Sequence, residues 1–236
     1  MLMARSCYTL GWDTTHNRGM PTTAPDIDAV LGQLRAVRVV PVVTINDAAS
    51  AVPMTRALVE GGLTAVEITL RTAAGMDALR AAAAGVPDAL VGAGTVTTAE
   101  ACEAAIDAGA QFVVSPGLVD EVVAVCARRG VLSLPGVATP TELYRAIALG
   151  CRTVKLFPAS VIGGPAMVKA LAALGTGVSF VPTGGIGLDT APGYLAIPDV
   201  VAVGGSWMVP ADRLAAGDWA GVRDLAAACS VLRETR

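Results

Sequence analysis

The sequence predicts an α/β protein, a single-domain (β/α)8 barrel of the TIM type, and three observations carry that prediction. Eight short β-prone runs alternate with helical stretches at a spacing of roughly 20 to 25 residues, the rhythm of repeated β-then-α units. Those runs are too apolar to face water on either side, as strands buried on both faces must be. Hydrophobic residues make up 53% of the 236-residue chain and charged residues 16%, which is ample apolar material for one large core. A doubly wound open sheet is the alternative, but its glycine fingerprint belongs after the first strand, where Val42-Val43-Thr44-Ile45 has no glycine.

Taken in order, residues 1–24 show neither a sustained apolar stretch nor helical periodicity. They are expected to be a flexible extension, with Met20 as an alternative start, which leaves 25–236 as the barrel. An amphipathic helix from Asp26 precedes the first strand at 38–44. Asn46 or Asp47 then caps a helix that runs to Glu60 and stops at Gly61-Gly62. The second strand covers 65–70 and its helix runs to Ala84; the third covers 89–94. Thr97-Thr98-Ala99-Glu100 reads as a capping box for a helix that Gly109 ends. Strands at 112–115 and 131–134 flank a helix over 119–129, and Thr139-Pro140-Thr141-Glu142 opens another that Gly150 stops. Strands at 153–157, 179–182 and 200–203 complete the eight, with helices near 165–174 and 189–196 between them and a helical tail from Ala211.

Composition narrows the function. A net charge of -3 offers no basic field for nucleic acid or an anionic membrane, and aromatic residues at 4% offer no base-stacking platform. The longest apolar runs are broken by Gly, Pro or charge well before the ~20 residues a membrane span needs. The five cysteines are odd in number and scattered, which fits buried thiols in a reducing cytoplasm. The single histidine, His16, lies in the N-terminal segment. A Ser-His-Asp triad, a Cys-His pair and a histidine-ligated zinc are therefore unavailable to the barrel, and proton chemistry falls to carboxylate, lysine, tyrosine, cysteine or water.

In such barrels chemistry gathers where strands end and βα loops begin. Lys155, one of only two lysines, stands inside the apolar run Thr153-Val154-Lys155-Leu156-Phe157-Pro158. Burial there would favour the neutral amine, free to attack a carbonyl; the alternative is a lysine with a buried stem and a solvated head, and the run alone does not separate the two. Glu67 lies between Val66 and Ile68, and alternation turns its side chain away from both, toward the barrel interior and Lys155. An acid/base and nucleophile couple is the preferred reading, a structural ion pair the other. Arg71 is placed to grip a carboxylate bidentately, or else is a surface loop arginine. Thr183-Gly184-Gly185 and Gly204-Gly205-Ser206 follow strands seven and eight, where barrels often cradle phosphate on backbone N–H groups.

With these residues in place the chain resembles the 2-keto-3-deoxy-6-phosphogluconate (KDPG) and 4-hydroxy-2-oxoglutarate (KHG) aldolases, class I enzymes of the Entner-Doudoroff type. The resemblance runs in order through Pro-Val-Val-Thr at 41–44, Glu-Ile-Thr-Leu-Arg at 67–71, Gly-Ala-Gly-Thr-Val at 92–96, Ser-Pro-Gly at 115–117, Leu-Pro-Gly-Val at 134–137, Val-Lys-Leu-Phe-Pro-Ala at 154–159, Pro-Thr-Gly-Gly-Ile at 182–186 and Gly-Gly-Ser-Trp at 204–207. It implies a Schiff base on Lys155, with Glu67 as general acid/base. It further implies that Arg71 and Thr95 hold the pyruvate carboxylate of a 2-keto acid substrate, that Pro116 and Phe157 belong to the substrate pocket, and that Thr183, Gly184, Gly185 and Ser206 take a distal phosphate. A homotrimer without cofactor or metal is the expected assembly. The rival readings are the galactonate-derived epimer as main substrate and a non-catalytic phosphate-binding barrel.

Overall fold

A computed structural model describes residues 26–233; the expected extension at 1–24 lies outside the described residues. The strands are β1 (Val39–Val43), β2 (Ala65–Thr69), β3 (Leu90–Gly94), β4 (Phe112–Val114), β5 (Leu132–Leu134), β6 (Gly136–Val137), β7 (Thr153–Leu156), β8 (Ser179–Pro182) and β9 (Val203–Gly205). The helices are α1 (Ile27–Val37), α2 (Ala51–Glu60), α3 (Gly75–Gly85), α4 (Ala99–Asp107), α5 (Asp120–Arg129), α6 (Pro140–Ala148), α7 (Gly164–Ala172), α8 (Ala191–Leu195), α9 (Ala211–Ala216) and α10 (Trp219–Ala228).

All the strand pairs are parallel, in two ladders ordered β5-β4-β3-β2-β1-β9 and β6-β7-β8. Proline explains the seam between them. Pro135 has no N–H to donate, so the fifth strand is interrupted there and read as β5 and β6. The Pro135 carbonyl still accepts from Lys155 N at 2.9 Å, so the chain runs through the seam without leaving the barrel wall. The other edge closes through the parallel bridges Phe180 to Val200 and Thr183 to Gly204. Counting β5 and β6 as one strand gives the eight expected positions. The eighth strand is Val203–Gly205 rather than 200–203, with Val200 contributing only its bridge to Phe180.

Helix α1 packs against β1, β2 and β5, strands from different sides of the barrel, and buries Val30, Leu34 and Val37 beneath it. It therefore plugs the end from which the strands start. Asp26 caps it by accepting from Asp28 N at 3.0 Å. The predicted capping box at 97–100 shifts by one residue: Thr98 is the N-cap of α4 and accepts from Ala101 N, so Glu100 sits in the first turn rather than at the reciprocal position. The box at Thr139 and Glu142 is complete in both directions. Cys102, Cys126 and Cys229 are buried free thiols and Cys151 is half-buried; Cys7 lies outside the described residues.

Candidate active site

The strand ends converge on a cavity of about 250 Å³. Parallel pairing sets Val42 beside Glu67, and Lys155 between Gly136 and Val181. Glu67 and Lys155 both point inward from nearly opposite walls, and Lys155 Nζ lies 3.3 Å from Glu67 Oε1 with side-chain exposures of 7% and 5%. Gly94 on the neighbouring strand makes room for the carboxylate, since a Cβ there would overlap Glu67. The ammonium also lies 5.1 Å from the centre of the Phe157 ring, within range of a cation–π contact. An ammonium withdrawn this far from water carries a desolvation cost that the nearby carboxylate and ring only partly offset.

The loop after β2 brings Arg71 over the same space. Its Nη2 donates to Thr44 Oγ1 at 2.6 Å and its Nε to Thr69 Oγ1 at 3.4 Å. Among the described residues no carboxylate forms an ion pair with it, and the residue is exposed. Thr95, the first residue past β3, has φ 61°, a region that β-branched residues rarely enter and that costs on the order of 1–3 kcal/mol. Pro116 and Phe157 wall the cavity from the loops after β4 and β7.

The rim opposite Arg71 is built from glycine. Gly184 and Gly185 both take positive φ, 101° and 69°, a backbone that residues with a side chain rarely adopt. Two backbone bonds tie this rim to the lysine's own loop: Ala159 N donates to Thr183 O at 2.8 Å and Ser160 N to Gly184 O at 3.1 Å. Thr183 is buried beneath the rim, and Ser206 is exposed at its mouth.

Every site residue expected from the sequence lines this one cavity: Lys155 and Glu67, Arg71 and Thr95, Pro116 and Phe157, Thr183, Gly184, Gly185 and Ser206. Gly205, expected with the second glycine pair, lines it as well, and so do Val42, Thr69 and Ile186, which were not foreseen as site residues. Thr69 had a legible signal, because it lies two residues past Glu67 and so faces the same side of the strand. Ile186 follows the glycine pair in a loop, where no periodicity announces direction.

A model of the KDPG and KHG aldolase family matches residues 30–225. The chain belongs to that family. It is 50% identical over 192 residues to the 2-dehydro-3-deoxy-phosphogluconate aldolase of Treponema pallidum, covering 81% of this chain and 91% of that one. It is 43% identical over 188 residues to the KHG/KDPG aldolase of Escherichia coli, covering 80% and 88%. Among solved structures it is similar to the KDPG aldolase of Legionella pneumophila holding pyruvate as a covalent carbinolamine intermediate, with TM-score 0.81, 36% identity and coverage of 84% and 97%. The parallel barrel is the family's architecture, and among the described residues no helix is long and apolar enough to cross a membrane.

Proposed function

We propose that this family member is a class I carbon-carbon lyase that cleaves 2-dehydro-3-deoxy-6-phosphogluconate to pyruvate and glyceraldehyde 3-phosphate. The observation that carries the reading is the buried Lys155 amine 3.3 Å from Glu67 at the floor of an otherwise ligand-sized cavity. The nucleophile in such chemistry is the neutral amine, and Glu67 is the group within reach of its spare proton. Lys155 Nζ adds to the C2 carbonyl; the carbinolamine takes a proton from Glu67 and loses water to leave an iminium. Glu67, now a carboxylate, removes the C4 hydroxyl proton, the C3–C4 bond breaks, and the aldehyde departs while the electron pair moves into the enamine. Glu67 returns the proton to C3, and water hydrolyses the pyruvyl iminium. The pyruvate captured as a carbinolamine in the Legionella relative supports the first step.

Arg71 and Thr95 hold the carboxylate in this reading, Phe157 and Pro116 fix the reacting carbons, and the Thr183 to Gly185 rim with Ser206 takes the phosphate. Cleavage of 4-hydroxy-2-oxoglutarate to pyruvate and glyoxylate is the second activity, favoured by the double name of the Escherichia coli relative. The catalyst needs no metal, works in the cytosol and assembles as a homotrimer; unchanged turnover in EDTA and a light-scattering mass of three chains are the expected results. The deciding experiment is incubation with pyruvate and borohydride followed by intact-mass and peptide mapping. A reduced pyruvyl adduct on Lys155 is expected. A folded protein with no adduct would favour a non-catalytic phosphate-binding barrel.

A further inference from the structure

Two threonine hydroxyls beneath Arg71 form a chain whose hydrogen-bond polarity can be worked out. Thr69 Oγ1 lies 3.0 Å from Val43 O, and a carbonyl can only accept, so the single Thr69 proton is donated there. Thr44 Oγ1 lies 3.0 Å from Thr69 Oγ1, a contact in which one of the two must donate. Thr69 has no proton left, so Thr44 donates. The lone pairs of Thr44 are then what meets Arg71 Nη2 at 2.6 Å, while the remaining lone pair of Thr69 meets Arg71 Nε at 3.4 Å. Each proton has one destination, and the Nε and Nη2 edge of the guanidinium is fully engaged.

A guanidinium has five N–H groups, and two are spent on this chain. Those left include the outward pair on Nη1 and Nη2, which form the other flat edge suited to a bidentate anion. We infer that Thr44, together with Thr69, is a positioning residue that anchors the side edge of Arg71 and so presents its Nη1/Nη2 end edge to the substrate carboxylate. The inference rests on the proposed 2-keto acid chemistry for its ligand, but the relay itself rests on the geometry alone. Thr44 is well placed for this role: it is half-buried just past β1, outside the cavity lining, and meets the substrate site through Arg71 and Thr69.

The test compares Thr44→Val, which keeps the shape and removes both acceptor and donor, with Thr44→Ser, which restores the hydroxyl. Losing a hydrogen bond to a charged group should raise KM for the 2-keto acid roughly tenfold in Thr44→Val while kcat at saturation stays within about twofold, and Thr44→Ser should return KM to near the wild-type value. Labelling by phenylglyoxal, mapped to Arg71, should be several-fold faster in Thr44→Val because the guanidinium is no longer held. An unchanged KM and labelling rate in Thr44→Val would overturn the inference, as would a Thr44→Ser variant that fails equally, since that would make the methyl group rather than the hydroxyl responsible. If the wild-type protein forms no pyruvate adduct, the lyase reading fails on its own; the Arg71 labelling rates then still decide the relay, because they need no substrate.

Discussion

The Lys155–Glu67 pair inside the barrel and the cluster of Arg128, Arg129, Glu103 and Asp107 on its outside use the same kinds of charge, but only the first is withdrawn from water. Its side chains are 7% and 5% exposed, whereas Arg129 and Asp107 are 37% and 67% exposed with Nη2 to Oδ1 at 2.7 Å. Arg129 also pairs with Glu103, which Arg128 meets at 3.3 Å. Asp107 first, then Glu103, hold the Arg129 guanidinium above its already high ordinary value, so that side chain keeps its charge. Outside, water screens the attraction and ordering long side chains costs entropy, so such pairs contribute ~0.2–1 kcal/mol. Inside, desolvation costs several kcal/mol per ion, and an apolar pair of equal volume would serve the fold as well or better. The surface cluster can be explained by stability alone. The interior pair cannot, which is why chemistry is the better account of it.

The largest effect should come from breaking the interior pair. Lys155→Met is expected to cut kcat by on the order of 10⁴-fold or more, since the nucleophile itself is lost. It also strands the Glu67 carboxylate, at a cost of ~3–5 kcal/mol that thermal unfolding would register. Adding Glu67→Leu should restore most of that stability and none of the turnover. A double variant no more stable than the single one would mean that the pair holds the barrel together, and the contrast with the surface would collapse.

The exterior should answer weakly. Arg129→Ala removes two ion pairs at once, yet the loss should stay below about 1 kcal/mol and leave kcat/KM unchanged. It should also fade in 1 M salt, where the screening length falls to about 3 Å. Thermal midpoints of the variant and the parent at low and high salt check this. A loss as large as that of Lys155→Met would show that exposure is a poor guide to which charges matter here.

What the sequence made legible follows the same division between inside and outside. A lysine in Thr153–Leu156 and a glutamate in Ala65–Thr69 are visible because charge violates an apolar pattern, and period-two alternation sends each side chain inward. The glycine rim was visible through its pairing at two successive strand ends. Position along the chain was less legible. Thr98 rather than Thr97 caps α4, because two adjacent threonines offer the same hydroxyl and only backbone geometry chooses. The break at Pro135 follows from its missing N–H, but whether the chain leaves the barrel wall there or continues into β6 depends on pairing with β7. The contact between Thr44 and Thr69 was hidden for another reason: alternation turns Thr69 inward, but a hydrogen-bond chain across two strands is encoded by no local pattern.

A carboxylate in a third setting sharpens the comparison, because among the described residues no cation pairs with it. Glu142 Oε2 accepts from Ala138 N at 2.8 Å, Thr139 N at 2.9 Å and Thr139 Oγ1 at 2.9 Å. The Ala138 N–H, followed by the Thr139 hydroxyl and N–H, holds its carboxyl below the ordinary value of 4.5 against an opposing push from partial burial. A carboxylate whose folded value is depressed contributes stability that is present above its unfolded value and lost as pH falls through the folded one. The stability gap between the parent and Glu142→Gln should therefore be a few tenths of a kcal/mol after solvent screening near pH 6 and should shrink steadily as pH falls below the ordinary value of 4.5. Amide and hydroxyl dipoles at hydrogen-bond distance are not displaced by mobile ions, so this gap should survive 1 M salt while the Arg129 gap does not. A Glu142 gap that widens toward acid would reverse the sign, and one that vanishes in salt would place this cap with the surface ion pairs.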